Sequence, residues 1–339
     1  MKRKVYRIDK AGSIEKLQIV EEVTPSPKVG EVTVEVRAIG LNFADIFAIQ
    51  GLYSATPKGS FVPGLEYSGI VINTGSKDSE FKTGDEVMGV IRFGAYASHL
   101  TIDEKYLTPL PAGWSFEEGA AYPVQVLTAY YALKNLGNVQ PEYNVLIHSA
   151  AGGVGLWANR IAKKFNCFTI GTVGNEAKVD FCLKEGYDKV IVRSENFKQD
   201  LKQKLEDRPL NLVLDSIGGK IFKDSYVLMA PEGRVIVYGS ARYTTKGAKP
   251  NFLKLFLKYI KRPKVDPQSM INYNKAVMGF NLIYLYNNAN LMKQMLIELA
   301  SLNLDKPHVG EKFSFDQLKD ALYRFQSGKT IGKVVIQNS

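Results

Sequence analysis

Asn144-Val145-Leu146-Ile147-His148-Ser149-Ala150-Ala151-Gly152-Gly153-Val154-Gly155 is the stretch that decides how this chain folds. Its first five residues are a short apolar run, as a strand buried on both faces requires. The run leads directly into a loop of small residues, and a helical stretch follows from Leu156 to Phe165. In a loop that cradles a pyrophosphate, glycines permit a tight turn, a close backbone approach to the anion and close contact between helix and strand. The helix start adds free N–H groups and the positive end of its dipole. Gly152 and Gly155 hold the second and third glycine places. Ala150 stands in the first, an exchange that still permits the turn but makes the fingerprint less diagnostic.

Downstream, strand and helix patterns alternate. Cys167–Thr172 reads as a strand, Lys178–Glu185 as a helix, and Lys189–Val192, Asn211–Asp215 and Arg234–Tyr238 as further strands. Such alternation builds a doubly wound parallel sheet with helices on both faces. Upstream, Val124–Leu136 is helical, and the chain before it is β-rich. Val32–Ala38 alternates with period two, Val87–Ile91 and Tyr96–Ile102 are further short strands, and Gly- and Pro-containing turns separate them. Pro109–Trp114 serves as a connector. After Phe280 one helix, about Asn288–Ser301, and a terminal strand, Lys333–Gln337, are expected, the strand returning to the first sheet. The expected division is 1–123 for a β-rich domain, 124–281 for the parallel-sheet domain, and 282–339 for a helix and the return to the first domain.

The composition is that of a globular protein: 339 residues, 45% hydrophobic and 23% charged. The length suits two domains, each with its own core. The apolar runs fall short of the roughly 20 residues of a membrane-spanning helix, and no apolar stretch follows the N-terminal charges as in a secretory signal. A cytoplasmic location is therefore expected. Two cysteines, Cys167 and Cys182, make no disulfide framework and no cysteine-rich zinc site.

The formal net charge of +10 is local in origin. Eight of the 44 basic residues, and none of the 34 acidic ones, lie between Arg242 and Lys264. The rest is close to neutral, so no nucleic-acid partner is expected. Within that segment Phe252, Leu255, Phe256 and Tyr259 recur at helical spacing, and Lys254, Lys258 and Lys261 form a separate stripe. One reading is a surface helix docked by its apolar face with solvated lysines opposite; the other is peripheral contact with an anionic membrane or an acidic partner.

Cofactor choice is read at the end of the second strand of the parallel sheet. Dinucleotide folds that select NAD place a carboxylate there for the ribose hydroxyls. Here the strand end is Thr172-Val173-Gly174-Asn175, with Glu176 slightly beyond and Lys178 and Arg193 nearby. Cations beside a short polar strand end suit a 2′-phosphate, so NADPH is expected over NADH. A lysine on its own is more often simply solvated, and Lys178 carries that alternative too.

These motifs, together with Gly40-Leu41-Asn42-Phe43-Ala44-Asp45, Pro63-Gly64-Leu65-Glu66-Tyr67-Ser68-Gly69, Gly84-Asp85-Glu86-Val87 and Asp215-Ser216-Ile217-Gly218-Gly219, resemble the medium-chain dehydrogenase/reductase superfamily across essentially the whole chain. Within it the chain resembles the zinc-independent quinone oxidoreductase branch. Val277–Leu282 and the basic insertion before it are similar to the synaptic-vesicle membrane protein homologues of that branch. The resemblance implies a Rossmann-type domain joined to a GroES-like catalytic domain. It implies cofactor contacts at Asn42, Thr128, Ala151, Gly152, Gly153, Val154, Gly174, Lys178, Arg193, Ile217, Gly239, Ser240, Phe280 and Lys333. It implies a homodimer in which apolar edge strands near Arg234–Tyr238 and Ala276–Phe280 pair across a two-fold axis.

Zinc members of the superfamily hold their catalytic metal with a Cys and with the His of a Gly-His-Glu motif. Those places are Asn42 and Leu65 here, and Glu66 alone is no zinc site, so no metal is expected. The three histidines are scattered, and His148, ending a core strand, reads as packed. Without a Lewis acid, reduction of quinones or enones is favoured over alcohol oxidation, because a conjugated acceptor delocalises the charge it gains. The resemblance points to Tyr53 as a catalytic residue of the substrate site, donating a proton or hydrogen bond; a Tyr that only shapes the pocket fits its position equally well. Asn42 is assigned to orienting the nicotinamide or a water, or to an Asx-type turn. The resemblance also places Phe47, Arg92 and Phe93 along the cleft; Tyr96 reads as a core residue. Two other functions stay open: a 2-enoyl thioester reductase, and a non-catalytic membrane-associated adaptor that keeps the nucleotide fold.

Overall fold

The computed structural model describes residues 1–244 and 247–338. Lys246, one of the basic residues noted above, lies outside the described residues. The chain opens with an antiparallel pair, β1 (Lys2–Arg7) and β2 (Gln18–Val23). It then builds the β-rich sheet from β3 (Glu31–Gly40), β4 (Glu66–Thr74), β5 (Glu86–Val90), β6 (His99–Asp103) and β7 (Leu107–Pro109). β3 is its axis, pairing antiparallel with β4 and, beside its first half, with β6. The strand expected from Tyr96 begins only at His99, because Tyr96 turns its backbone to Pro63 and Tyr6 instead. Helix α1 (Phe43–Ile49), about two turns long after β3, was not read from the sequence.

Helices α2 (Phe116–Ala120) and α3 (Pro123–Tyr130) lead into the parallel domain, α3 passing into a π-helical turn at Tyr131–Leu136. There β8 (Asn144–His148), β9 (Phe168–Val173), β10 (Lys189–Val192), β11 (Leu210–Asp215), β12 (Met229–Val237) and β13 (Ala276–Gly279) form one parallel sheet in the order β10-β9-β8-β11-β12-β13. The order reverses direction between β8 and β11, the switch point at which such sheets bind ligands outside the carboxyl ends of their strands. All five β8 residues are buried, as the apolar run required. The connecting helices are α4 (Gly153–Lys164), α5 (Val179–Lys184), α6 (Phe197–Leu205) and α7 (Gly219–Leu228), with α8 (Phe252–Ile260) and α9 (Pro267–Tyr273) inserted before β13.

After α10 (Leu282–Leu285), helix α11 (Ala289–Ser301) packs on α3. Met292, Met295 and Leu299 enter the same core as Val126, Leu127 and Tyr130, each contributing about 1.5–3 kcal/mol by burial. The chain then returns to the first sheet with β14 (Val309–Ser314), α12 (Leu318–Gln326) and β15 (Lys333–Gln337). β15 lies antiparallel to β3 and parallel to β14, which puts the end of the chain beside the end of α1's strand. The terminal strand was legible from sequence. β14 and α12 were not, since Val309–Ser314 is half polar and α12 is only nine residues long.

Candidate active site

Between the two sheets lies a cleft of about 1070 Å³, lined by the loops that leave the carboxyl ends of β8, β9, β11, β12 and β13. The turn after β8 takes its positive φ at Ser149 (56°) rather than at the first glycine place. Ala150 fits that place because Gly171 faces it: a Cβ on Gly171 would lie 2.8 Å from that of Ala150. Gly155 is required for close packing, since a Cβ there would stand 2.5 Å from the Ser149 carbonyl oxygen. Helix α4 starts at Gly153 with Gly152 as N-cap and no side-chain cap, which leaves the N–H groups of its first turn to an anion. Across the switch point the buried Asp215 carboxylate accepts from the N–H groups of Ile217 and Gly218 (2.8 and 3.0 Å), holding that loop against the cleft.

Of the residues singled out in the sequence, Asn42, Tyr53, Thr128, Ala151, Gly152, Gly153, Val154, Gly174, Lys178, Arg193, Ile217, Gly239, Ser240 and Phe280 all line this cleft, as do Phe47 and Arg92. Two do not. Phe93 packs edge-on against Phe61, ring centroids 5.5 Å apart, in the β-domain core. Lys333 is 1% exposed and lies beneath the wall. His148 is buried, its ring bonded to Thr172 and Ser225, and burial holds its pKa down at about 3.

The cationic end is organised around backbone. Arg193 donates through Nη1 to the carbonyl and hydroxyl oxygens of Thr172, both at 3.1 Å, and its Nη2 lies over Gly174, where a Cβ would come within 3.0 Å. Lys178 is not simply solvated. Its ammonium donates to the carbonyls of Gly328 and Thr330, both at 2.7 Å, and burial lowers its pKa. Gly332 N–H donates to Ala151 O at 2.8 Å, so the C-terminal loop of the β domain is tied directly to the phosphate loop.

The wall under Asn42 is a buried polar cluster that sequence reading missed. The Lys333 ammonium pairs with Glu66 and donates to Asn42 Oδ1 at 3.0 Å. Asn42 Nδ2 donates to Glu66 Oε1 at 2.8 Å and to Gly40 O at 3.3 Å, while Glu66 Oε2 accepts from Val124 N–H at 2.9 Å. The Asn42 amide is thus hydrogen-bonded to Glu66 and Gly40 while the residue also lines the cleft. Asp45 Oδ2 accepts from Asn42 N–H (2.8 Å) and from Tyr96 O–H (3.0 Å), and burial raises its pKa to about 7. Tyr53 O–H donates across the cleft to Asn281 Oδ1 at 2.7 Å, and burial holds its pKa up at about 12.

Two family descriptions match the chain: zinc-binding dehydrogenase over residues 153–287 and alcohol dehydrogenase GroES-like domain over residues 28–112. The human synaptic vesicle membrane protein VAT-1 homolog is 33% identical over 324 residues, 95% of this chain and 82% of that one. Quinone oxidoreductase-like protein 2 of Bos taurus is 31% identical over 338 residues, 98% of this chain and 92% of that one. The chain belongs to the medium-chain dehydrogenase/reductase superfamily. It falls in the quinone oxidoreductase branch. The crystal structure of Escherichia coli quinone oxidoreductase complexed with NADPH superposes with a TM-score of 0.85 at 29% identity, covering 98% of this chain and 99% of that one.

In this quinone oxidoreductase-like chain the basic insertion is a strap across the cleft mouth. Arg242 and Lys258 each donate to the other's backbone carbonyl, closing the strap's base. Its tip reaches the β domain, where Gly247 O accepts from Gln50 and Gln326 (both 3.3 Å) and Ala248 O accepts from Ile14 N–H (3.1 Å). On α8, Phe252, Leu255, Phe256 and Tyr259 line the cleft. The opposite side is not only lysine, as the docked-helix reading required: Leu253 and Leu257 are 71% and 50% exposed, and Ile260 is exposed as well. Among the described residues no helix is long and apolar enough to cross a membrane.

Proposed function

We propose that the chain is an NADPH-dependent reductase that transfers hydride to a quinone or another conjugated carbonyl without zinc. The observation that carries this is the single cleft in which the glycine loop, Lys178 with Arg193, and Tyr53 meet. The residues fit the cofactor. The open first turn of α4 suits a pyrophosphate. Lys178 and Arg193 suit a 2′-phosphate, Lys178 by leaving the Gly328 and Thr330 carbonyls. No carboxylate stands at the end of β9 for a ribose hydroxyl, which favours NADPH over NADH.

The bound cofactor supplies the hydride. The chain supplies position and one hydrogen-bond donor. Tyr53 keeps its proton at neutral pH and gives its hydrogen bond to the acceptor oxygen in place of Asn281. The zinc-free reading is supported by Asn42 and Leu65, which offer neither thiolate nor imidazole, and by Glu66, whose carboxylate is engaged with Lys333 and Asn42. A conjugated acceptor spreads the incoming charge over its own π-system and needs no metal to do so. This reading divides the chain into a catalytic unit, 1–123 completed by the C-terminal return, and a cofactor unit, 124–281. The outer edge of β13 is where a second copy extends the parallel sheet, and light scattering at micromolar concentration tests that dimer.

The deciding experiment follows oxidation of NADPH and of NADH with a panel of quinones, enones and enoyl thioesters, using wild type and Tyr53→Phe. Turnover of quinones and enones with NADPH is expected. Tyr53→Phe should lose about 10²–10³ in kcat on an enone, which has one carbonyl oxygen, and less on a quinone. Turnover confined to enoyl thioesters would make the chain an enoyl reductase. Cofactor binding without turnover of any acceptor would make it an adaptor. Zinc found at stoichiometric level, with activity lost on chelation, would overturn the metal-free reading.

A second reading concerns location. The exposed Leu253, Leu257 and Ile260, flanked by Lys254, Lys261 and Arg262, suit an interfacial helix on an anionic membrane. Sedimentation with anionic but not neutral liposomes is the expected result.

A further inference from the structure

The cleft of about 1070 Å³ runs from the glycine loop past Tyr53 to the strap. The residues that the strap adds are almost all apolar: Tyr243, Phe252, Leu255, Phe256 and Tyr259. The β domain contributes Phe43 and Phe325 to the same cleft, their rings packed at 4.4 Å. Leu255 is buried, whereas Phe252, Phe256 and Tyr259 are more than half exposed although they face the cleft. Aromatic surface left uncovered inside a cleft costs free energy unless something apolar covers it. Among the described residues the strap's hydrogen bonds run mostly to backbone carbonyls at its base and tip, and α8 lines the cleft between them.

Resting on the reductase reading above, we propose that the space under α8 is a tail-binding arm of the active site, and that the physiological acceptor is a lipophilic conjugated carbonyl bearing a long hydrocarbon chain. The reacting carbonyl sits beside Tyr53, and the chain runs beneath the strap against Leu255, Phe256 and Tyr259. Each methylene removed from water there contributes about 0.8 kcal/mol, close to fourfold in kcat/KM per group buried.

The test uses methyl vinyl ketone, pentyl vinyl ketone and nonyl vinyl ketone with NADPH and the full-length protein. The expected result is a rise in kcat/KM on the order of 100-fold or more from methyl to nonyl. The inner-face variant Leu255→Ser/Phe256→Ser should flatten that rise. The outer-face variant Leu253→Ser/Leu257→Ser, whose residues do not line the cleft, should keep it. Reduction of all three ketones at similar kcat/KM by the wild type would overturn the arm while leaving the reductase reading intact. If no ketone is reduced, the reductase reading rests on the quinone panel and the arm is judged on binding alone, with 11-(dansylamino)undecanoic acid as fluorescent probe. Saturable binding lost in the inner-face variant and kept in the outer-face variant supports the arm. Absence of binding, or equal loss in both variants, overturns it.

Discussion

Two walls of one cleft obtain their order in opposite ways. The wall under Asn42 is buried and polar. Asn42, Asp45, Glu66 and Lys333 come from distant parts of the chain and are held by mutual charge and hydrogen bonds. The strap is one stretch of chain rich in basic residues, tied among its described residues through backbone carbonyls, with hydrophobic side chains on its cleft face and on its solvent face. In the first wall a missing partner leaves a buried charge. In the second a missing side chain only changes the surface that is covered. Substitutions should therefore act on stability in the first wall and on ligands in the second.

The largest expected effect is Lys333→Met, which leaves Glu66 buried without its counter-ion. Breaking such a pair costs about 3–5 kcal/mol, seen as a lowered urea midpoint at neutral pH. Adding Glu66→Gln should recover much of the loss, since no charge is then left alone. A single variant as stable as wild type would break the contrast between the walls. Next is Lys178→Ala, at the seam where the β-domain loop meets the phosphate loop. It should weaken NADPH by about 1.5–3 kcal/mol more than NADH, measured by calorimetric titration of both. Equal binding of the two cofactors by wild type would remove the assigned role of Lys178.

Asp45 sharpens the first wall through pH. Its pKa in the fold, raised by burial to about 7, lies above the ordinary carboxyl value of 3.8. Between those values the folded state binds more protons than the unfolded one, so stability falls as pH rises from about 4 to about 7. Asp45→Asn should lack this slope, which denaturation at a series of pH values would show. The smallest effect is expected at the strap's outer face, where Leu253→Ser/Leu257→Ser should change stability by less than about 0.5 kcal/mol. A large loss there would mean that the strap is part of the core after all.

Much of the fold was legible because its signals are local. The apolar run Asn144–His148, the glycines at 152 and 155, and the strand end before Gly174 are each read within one element or one turn, and both glycines and Gly174 line the cleft. The apolar spacing of α8 was legible too, and Phe252–Ile260 is a helix. What the spacing did not show is that α8 is apolar on both sides, because an apolar position reads alike whether it faces a cleft or water. Ala150 looked like a weakness in the loop; Gly171, on the neighbouring strand, supplies the room it needs.

Residue type and spacing alone marked the strand and helix alternation of the parallel sheet, the glycine turn after its first strand, the Asn and Leu at positions 42 and 65, and the position of the basic segment. These are properties of residue type and of spacing along one backbone, and period and steric freedom express them within a few residues. Only the tertiary structure decided that Lys333 meets Asn42 across 291 positions of chain, that Tyr53 answers Asn281 across the cleft, and that Lys178 holds the carbonyls of Gly328 and Thr330. In a single sequence a lysine destined for a buried carboxylate looks the same as one destined for water. The distinction arises when β15 comes to lie beside β3 and water is excluded, for then an unpaired charge carries its full desolvation cost and its partner is fixed.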